Sequence, residues 1–183
     1  MEEMWFSEDV KNRLMFAGMK ELEEHGVNDF SLRRVASRAQ VSCAAPYRHF
    51  KSREDLISAV LGFIRERFFL FCKAVRDAYR EQPHALCIEL AISQIRFLIA
   101  SPQLISILLL SSSEHAYREQ IAALDAPLCE AVQQLYPIEW ERILSKMLSH
   151  ILGYSVLIVR GSMENDEKSF AQIRGDLEKC IEM

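Results

Sequence analysis

Apolar positions recur with a helical period along nearly the whole chain. From about Ser7 to His25, the residues Val10, Leu14, Ala17, Gly18 and Leu22 share one face, and Gly26 is placed to stop that helix in the left-handed conformation. Ser31 is a good N-cap for a second, short helix that turns Leu32, Val35, Ala36 and Ala39 inward. Ser42 is expected to cap a third, very short helix ending near His49. Ser52 opens a fourth, with Asp55 three residues on completing a capping-box pattern, and that helix runs towards Arg80. Gln82 and Pro83 end it. A fifth helix reaches about Ala100 and is apolar on most sides, which predicts the middle of a bundle. A short piece follows from Gln103 to Leu110. The next helix, Ser113 to about Leu135, carries Pro127 and is expected to kink or break there. Tyr136 and Pro137 precede a helix from Ile138 to about Arg160, and the acidic Asp166 and Glu167 suit the start of a last one. No stretch alternates with period two for long enough to be a strand. The chain reads as all-α, with about nine helices.

Composition supports this picture. Half of the 183 residues are hydrophobic and 26% are charged, so a sizeable core can form. Six glycines and five prolines are few for a chain of tight β-turns. The most apolar stretch, Ile95 to Leu110, is short and contains Arg96 and Pro102, so no membrane partner is expected, and the first residues lack the pattern of a signal peptide. Five cysteines without a CxxC pair argue against zinc or a redox couple and suit reduced thiols in a cytoplasmic protein. No metal and no cofactor are expected. The five histidines are scattered and no Gly-rich phosphate loop occurs, so the chain is not expected to be an enzyme.

Charge changes the picture more. The net charge of −4 rules out a globally basic nucleic-acid coat protein. Yet Ser31 to Arg53 contains Arg33, Arg34, Arg38, Arg48, Lys51 and Arg53 and no carboxylate, so these 23 residues carry +6 and the remaining 160 carry −10. Two short helices joined by a turn make a helix-turn-helix, whose second helix can enter the DNA major groove. A solvated basic face on a helical hairpin is the plainer alternative.

The order of residues favours the first. From Gly26 through Ser31-Leu32-Arg33-Arg34-Val35-Ala36, Ala39-Gln40-Val41-Ser42, Tyr47-Arg48-His49-Phe50 and Lys51-Ser52-Arg53-Glu54-Asp55-Leu56, the chain resembles the DNA-binding region of the TetR family of transcriptional regulators. The likeness covers about residues 10 to 61. It implies that Ser31 caps helix 2 and bonds a phosphate, and that Arg33 reaches a base or a phosphate. It implies that Ser42, Cys43, Ala44 and Ala45 begin the recognition helix, that Tyr47 and His49 bind phosphate, and that Arg53 does the same at the start of helix 4, with Arg48 and Lys51 as neighbours. Two positions depart from the family pattern. Gln40 stands where glycine is usual, and Pro46 where leucine or isoleucine is common, so a short or 3₁₀-like recognition helix is expected.

For the rest, the resemblance implies residues 1–51 as a DNA-binding domain and 52–183 as a helical effector-binding and dimerisation domain. Its effector pocket would lie among helices 4 to 7, with Phe63, Phe71, Phe97, Ile107, Leu108 and Tyr117 as candidates. Glu89, Ser93 and Arg96 form a polar stripe on the fifth helix that is either a solvent edge or a few polar groups in such a pocket, and Glu89 and Arg96 join the candidates. The last two helices carry apolar stripes. One holds Trp140, Leu144, Met147, Ile151, Ser155 and Ile158; the other holds Phe170, Ile173, Leu177, Cys180 and Ile181. They are either intramolecular packing or, as the resemblance implies, a two-fold dimer interface. The expected protein is a cytoplasmic, homodimeric regulator of a DNA operator. It would act as a repressor released by a small, mostly apolar molecule. The competing expectation is a helical ligand-binding protein whose helix-turn-helix no longer binds DNA.

Overall fold

The computed structural model describes residues 10–109 and 115–181, without the side chains of 115, 116, 118 and 119. The expected helix start at Ser7, the end of the sixth helix at Leu110 and the helix start at Ser113 lie outside the described residues. The elements are α1 (Val10–His25), α2 (Leu32–Arg38), α3 (Ala45–His49), α4 (Arg53–Ala78), α5 (Pro83–Ala100), α6 (Pro102–Leu109), α7 (His115–Ala122), α8 (Ala126–Leu135), α9 (Trp140–Val159) and α10 (Glu167–Ile181). Among the described residues there is no strand.

The termini follow from local chemistry. Ser31 Oγ accepts from the Arg34 amide (3.4 Å) and Ser52 Oγ from the Asp55 amide (3.1 Å), which caps α2 and α4 as expected. Asp55 Oδ2 reaches back to accept from the Lys51 amide at 2.8 Å, one residue before the cap. Ser42 does not cap α3. That helix begins at Ala45, after Ala44, with no side-chain cap, because Pro46 has no N–H and is tolerated only in the first turn. A start at Ser42 would have placed Pro46 where the first intrahelical bond is required. The expected helix from residue 113 to 135 is broken by a 3₁₀ turn, Ala123–Asp125, just ahead of Pro127.

α5 is the hub. Cys87, Ile88, Leu90, Ala91, Ile92, Ile95 and Leu98 are buried, and the helix packs against α9, α8, α10 and α4. Its buried Gln94 donates from Nε2 to Asp125 Oδ1 at 2.6 Å, tying the hub to the 3₁₀ turn. α5 and α9 are each long and apolar enough to cross a membrane by composition alone, but half of α5 is buried inside the protein. α1, α2 and α3 form a small cluster on the N-terminal half of α4, and α1 crosses α4 at Gly18. A Cβ there would stand 2.8 Å from Val60 Cγ2.

Candidate nucleic-acid interface

Two helices and a turn present the basic segment. α2 ends in a closed left-handed turn. The Gln40 amide donates to Ser37 O (3.1 Å), the Val41 amide donates to Ala36 O (3.0 Å), and Gln40 itself has φ +54. That is a Schellman closure with glutamine where glycine is favoured. Arg13 of α1 donates to Ala39 O and, at 3.1 Å, to Gln40 O, holding the turn from outside.

Beyond the turn, Ser42, Cys43 and Ala44 are exposed, Ala45 and Pro46 are buried, and Tyr47, Arg48, His49 and Lys51 are exposed. Tyr47 keeps 65% of its surface free, so its ring stands out from the small three-helix core. The structure therefore brings most of the expected DNA-facing residues onto one short, solvent-facing run, with Arg33 exposed on α2 and Ser31 half-buried at its cap. Ala45 is the exception: it faces inward.

The six cations do not share one environment. Arg34 Nε donates to Glu21 Oε1 at 2.6 Å, and its other arm reaches Asp29, 3.2 Å from Oδ2. Glu21 is fully buried, and the same Oε1 accepts from the Ser31 amide at 3.0 Å. Arg38 makes a two-pronged pair with Glu24. This pair holds the Glu24 carboxyl below its ordinary value and raises Arg38. Arg53 Nε donates to Phe30 O (2.9 Å) and its terminal nitrogen to Asn28 O (3.2 Å) and Val27 O, with Glu54 at 3.4 Å. Arg33, Arg48 and Lys51 have no side-chain partner among the described residues.

Glu21 and Arg13 were missed by the sequence reading. Glu21 had a signal: it falls on the apolar stripe of α1, between Ala17 and Leu22, where an unpaired carboxylate would be costly. Arg13 had none.

The expected effector residues are not gathered around one space. Phe71 is 55% exposed on the outside of α4. Glu89 pairs with Arg174 of α10 at 2.5 Å, and the Arg96 guanidinium lies 4.7 Å from the Phe170 ring centre, so this polar stripe fastens α5 to α10. Phe63 packs edge-on to Phe16 of α1 with centroids 5.4 Å apart, and Phe97 stacks on Phe68 at 4.6 Å. Ile107 and Tyr117 are buried and Leu108 partly so.

The expected dimer residues divide by burial. Met147, Ile151, Ser155, Ile158, Ile173, Leu177, Cys180 and Ile181 are buried within the protomer, and Trp140, Leu144 and Phe170 are partly exposed. The buried ones sit where α9 and α10 meet each other and α5. The free apolar surface of α9 is the neighbouring stripe, a shallow groove of about 430 Å³ lined by Trp140, Leu144, Leu148 and Leu152 with Glu141, Ser145 and Ser149. Cys72 and Cys87 are buried, which pushes both thiols up to about 11, and Cys43 is exposed.

A short basic helix-turn-helix is set on the end of a long helix, ahead of an all-helical body. Residues 14–60 match the model for bacterial regulatory proteins of the TetR family, and the module is of that type. The whole chain has the TetR-like fold. It superposes on a TetR transcription regulator from Haloarcula marismortui with a TM-score of 0.71 at 21% identity, covering 95% of this chain and 97% of that one. The transcriptional regulator FadR from Bacillus subtilis, in complex with stearoyl-CoA, gives 0.70 at 13%, covering 93% and 97%. The fatty acid degradation regulator FadR from Bacillus halodurans gives 0.67 at 15%, covering 94% and 95%. No curated protein sequence matches the chain.

Proposed function

We propose that the protein is a cytoplasmic, homodimeric DNA-binding repressor whose operator affinity falls when a small, mostly apolar effector binds its helical body. Residues 1–51 would hold the DNA and residues 52–183 the effector and the partner protomer. The observation that carries this reading is the run from Ser42 to Lys51, where hydroxyl, phenol, imidazole, guanidinium and ammonium groups all face solvent and no carboxylate intervenes. These are the donors that bind phosphate oxygens. The partner protomer would cover the Leu144–Leu148–Leu152 groove of α9, not the stripe buried beneath it. The effector would enter between α4 and α7, which pack against each other with Gln120 of α7 beside Gly62 of α4. The stearoyl-CoA bound by the Bacillus subtilis regulator makes a long-chain acyl thioester the first effector to try.

The test has two arms. Duplexes selected from random-sequence DNA are titrated with the protein, and binding is followed by fluorescence anisotropy. A selected duplex should bind at least 10³-fold more tightly than unselected DNA, on the order expected of specific readout. Titration with stearoyl-CoA should then weaken that binding, by a factor in the range of about 5 to 150. Failure to select any duplex would favour the reading in which the helix-turn-helix no longer binds DNA.

A further inference from the structure

We infer that, of the six cations in the basic segment, Arg33, Arg48 and Lys51 meet the DNA phosphates, and that Arg34, Arg38 and Arg53 are internal ties withheld from DNA. The inference rests on the DNA-binding reading and assigns its charged contacts. Arg34 and Arg53 are engaged by groups that DNA cannot replace, and Arg38 is already paired with the Glu24 carboxylate. Arg34 balances a fully buried carboxylate, Glu21, which also holds the amide of the α2 cap residue. Pulling Arg34 out to a phosphate would leave Glu21 charged and buried without its cation, a costly state. Arg38 has both terminal nitrogens on Glu24. Arg53 has its Nε and one terminal nitrogen on the carbonyls of Val27, Asn28 and Phe30, so it closes the α1–α2 loop onto the first residue of α4. That fixes the loop that leads directly into the Ser31 cap. The three remaining cations are exposed and lack an internal partner among the described residues, so a phosphate meets them without breaking anything.

The consequence is a weak salt dependence for so basic a segment. Each phosphate contact contributes about 0.9 to the slope of log affinity against log salt. Three contacts per protomer give a slope near −2.7, whereas all six would give about −5.4. Between 50 and 200 mM salt, that is roughly a 40-fold loss of affinity per bound protomer against roughly 1,800-fold.

The experiment measures the salt slope on a selected duplex at one fixed pH, with the number of bound protomers fixed by sedimentation. The wild-type slope should be close to −2.7 per protomer. Arg33→Gln and Arg48→Gln should each reduce it by about 0.9. Arg38→Gln should leave it unchanged, and Arg53→Gln should leave it unchanged while lowering the melting temperature. Because Arg53→Gln can unfold the module, Arg38→Gln, on an exposed pair, is the deciding variant. A wild-type slope near −5.4, or a fall of 0.9 in Arg38→Gln, overturns the inference and leaves DNA binding standing. Absence of binding to any selected duplex overturns the DNA-binding reading and this inference with it.

Discussion

The turn between α2 and α3 allows a strain energy to be measured with an internal control. α9 ends in the same closure as α2. The Gly161 amide donates to Ile158 O (2.9 Å), the Ser162 amide donates to Leu157 O (2.9 Å), and Gly161 has φ +70. At the corresponding position of α2, Gln40 has φ +54 with a side chain that points into solvent. A left-handed conformation costs a non-glycine residue on the order of 1–2 kcal/mol. Glycine at the same place gives back about 0.5–1 kcal/mol through its greater freedom in the unfolded chain. Gln40→Gly should therefore stabilise the protein by about 0.5–1 kcal/mol. Gly161→Gln should destabilise it by a similar amount, since nothing stands within 4 Å of a Cβ there and only φ opposes the change. For a chain of this length the shifts in melting temperature are about 2–4 °C per kcal/mol. Urea unfolding at fixed protomer concentration gives the same comparison without extrapolating temperature. A Gln40→Gly that is neutral or less stable, beside a destabilised Gly161→Gln, would refute the strain at Gln40. It would mean that the Arg13 bonds to Ala39 O and Gln40 O have made glutamine the better residue at this turn.

Three further outcomes are expected. Gly18→Ala brings a methyl to 2.8 Å from Val60 Cγ2 and should cost about 1–3 kcal/mol in chemical unfolding, loosening α1 from α4. Leu148→Glu should keep the helical circular-dichroism signal and shift sedimentation towards a monomer, whereas Met147→Glu, on a fully buried side chain one position away, should lose about 4 kcal/mol or more and much of that signal. Burial holds the Asp125 carboxyl above its ordinary value of 3.8, with the Gln94 bond acting against the shift. The folded state thus keeps this proton more tightly. The stability it contributes is present below the ordinary carboxylate value and is lost as pH rises through the raised folded value. Relative to Asp125→Asn, the wild type should lose stability as pH climbs from about 3.8, and parallel pH–stability curves would contradict the assignment.

Much of the fold was legible because periodicity and caps are local. Ser31 and Ser52 cap the helices they were expected to cap, and the all-round apolar fifth helix lies at the centre of the bundle. The break ahead of Pro127 was legible for the same reason. Ser42 was misread because the requirement that Pro46 lie in a first turn outweighs the capping preference of a serine four residues earlier. The composition of the candidate interface was legible, and the fate of its charges was not. Arg34, Arg38 and Arg53 are chosen as ties by carboxylates and loop carbonyls 13 to 26 positions away in sequence, and no spacing rule in a single sequence reports such contacts. Glu89 and Arg96 show the same limit. Their i, i+7 spacing reveals a shared face, but only α10 determines that the face meets Arg174 and Phe170.

α9 shows why the choice of face is harder than the choice of helix. Its apolar residues form two adjacent rows, Ile143–Met147–Ile151–Ser155–Ile158 and Leu144–Leu148–Leu152–Val156, which together make an apolar arc wider than one neighbouring helix covers. Periodicity finds the arc and cannot divide it. In the folded chain the first row goes under α5 and α10, where Ser155 is small enough to be fully buried. The second row stays half-exposed and is continued by Leu157 and Val159, more than 40% exposed. A row of leucines left in water along some three turns of helix is an unfavourable ending for a folded chain. Two copies of α9 meeting along that row would bury it without disturbing the core row beneath. The expectation of a partner therefore follows from the width of the arc, and the residues expected to touch that partner move by one position around the helix, from Met147 and Ile151 to Leu148 and Leu152.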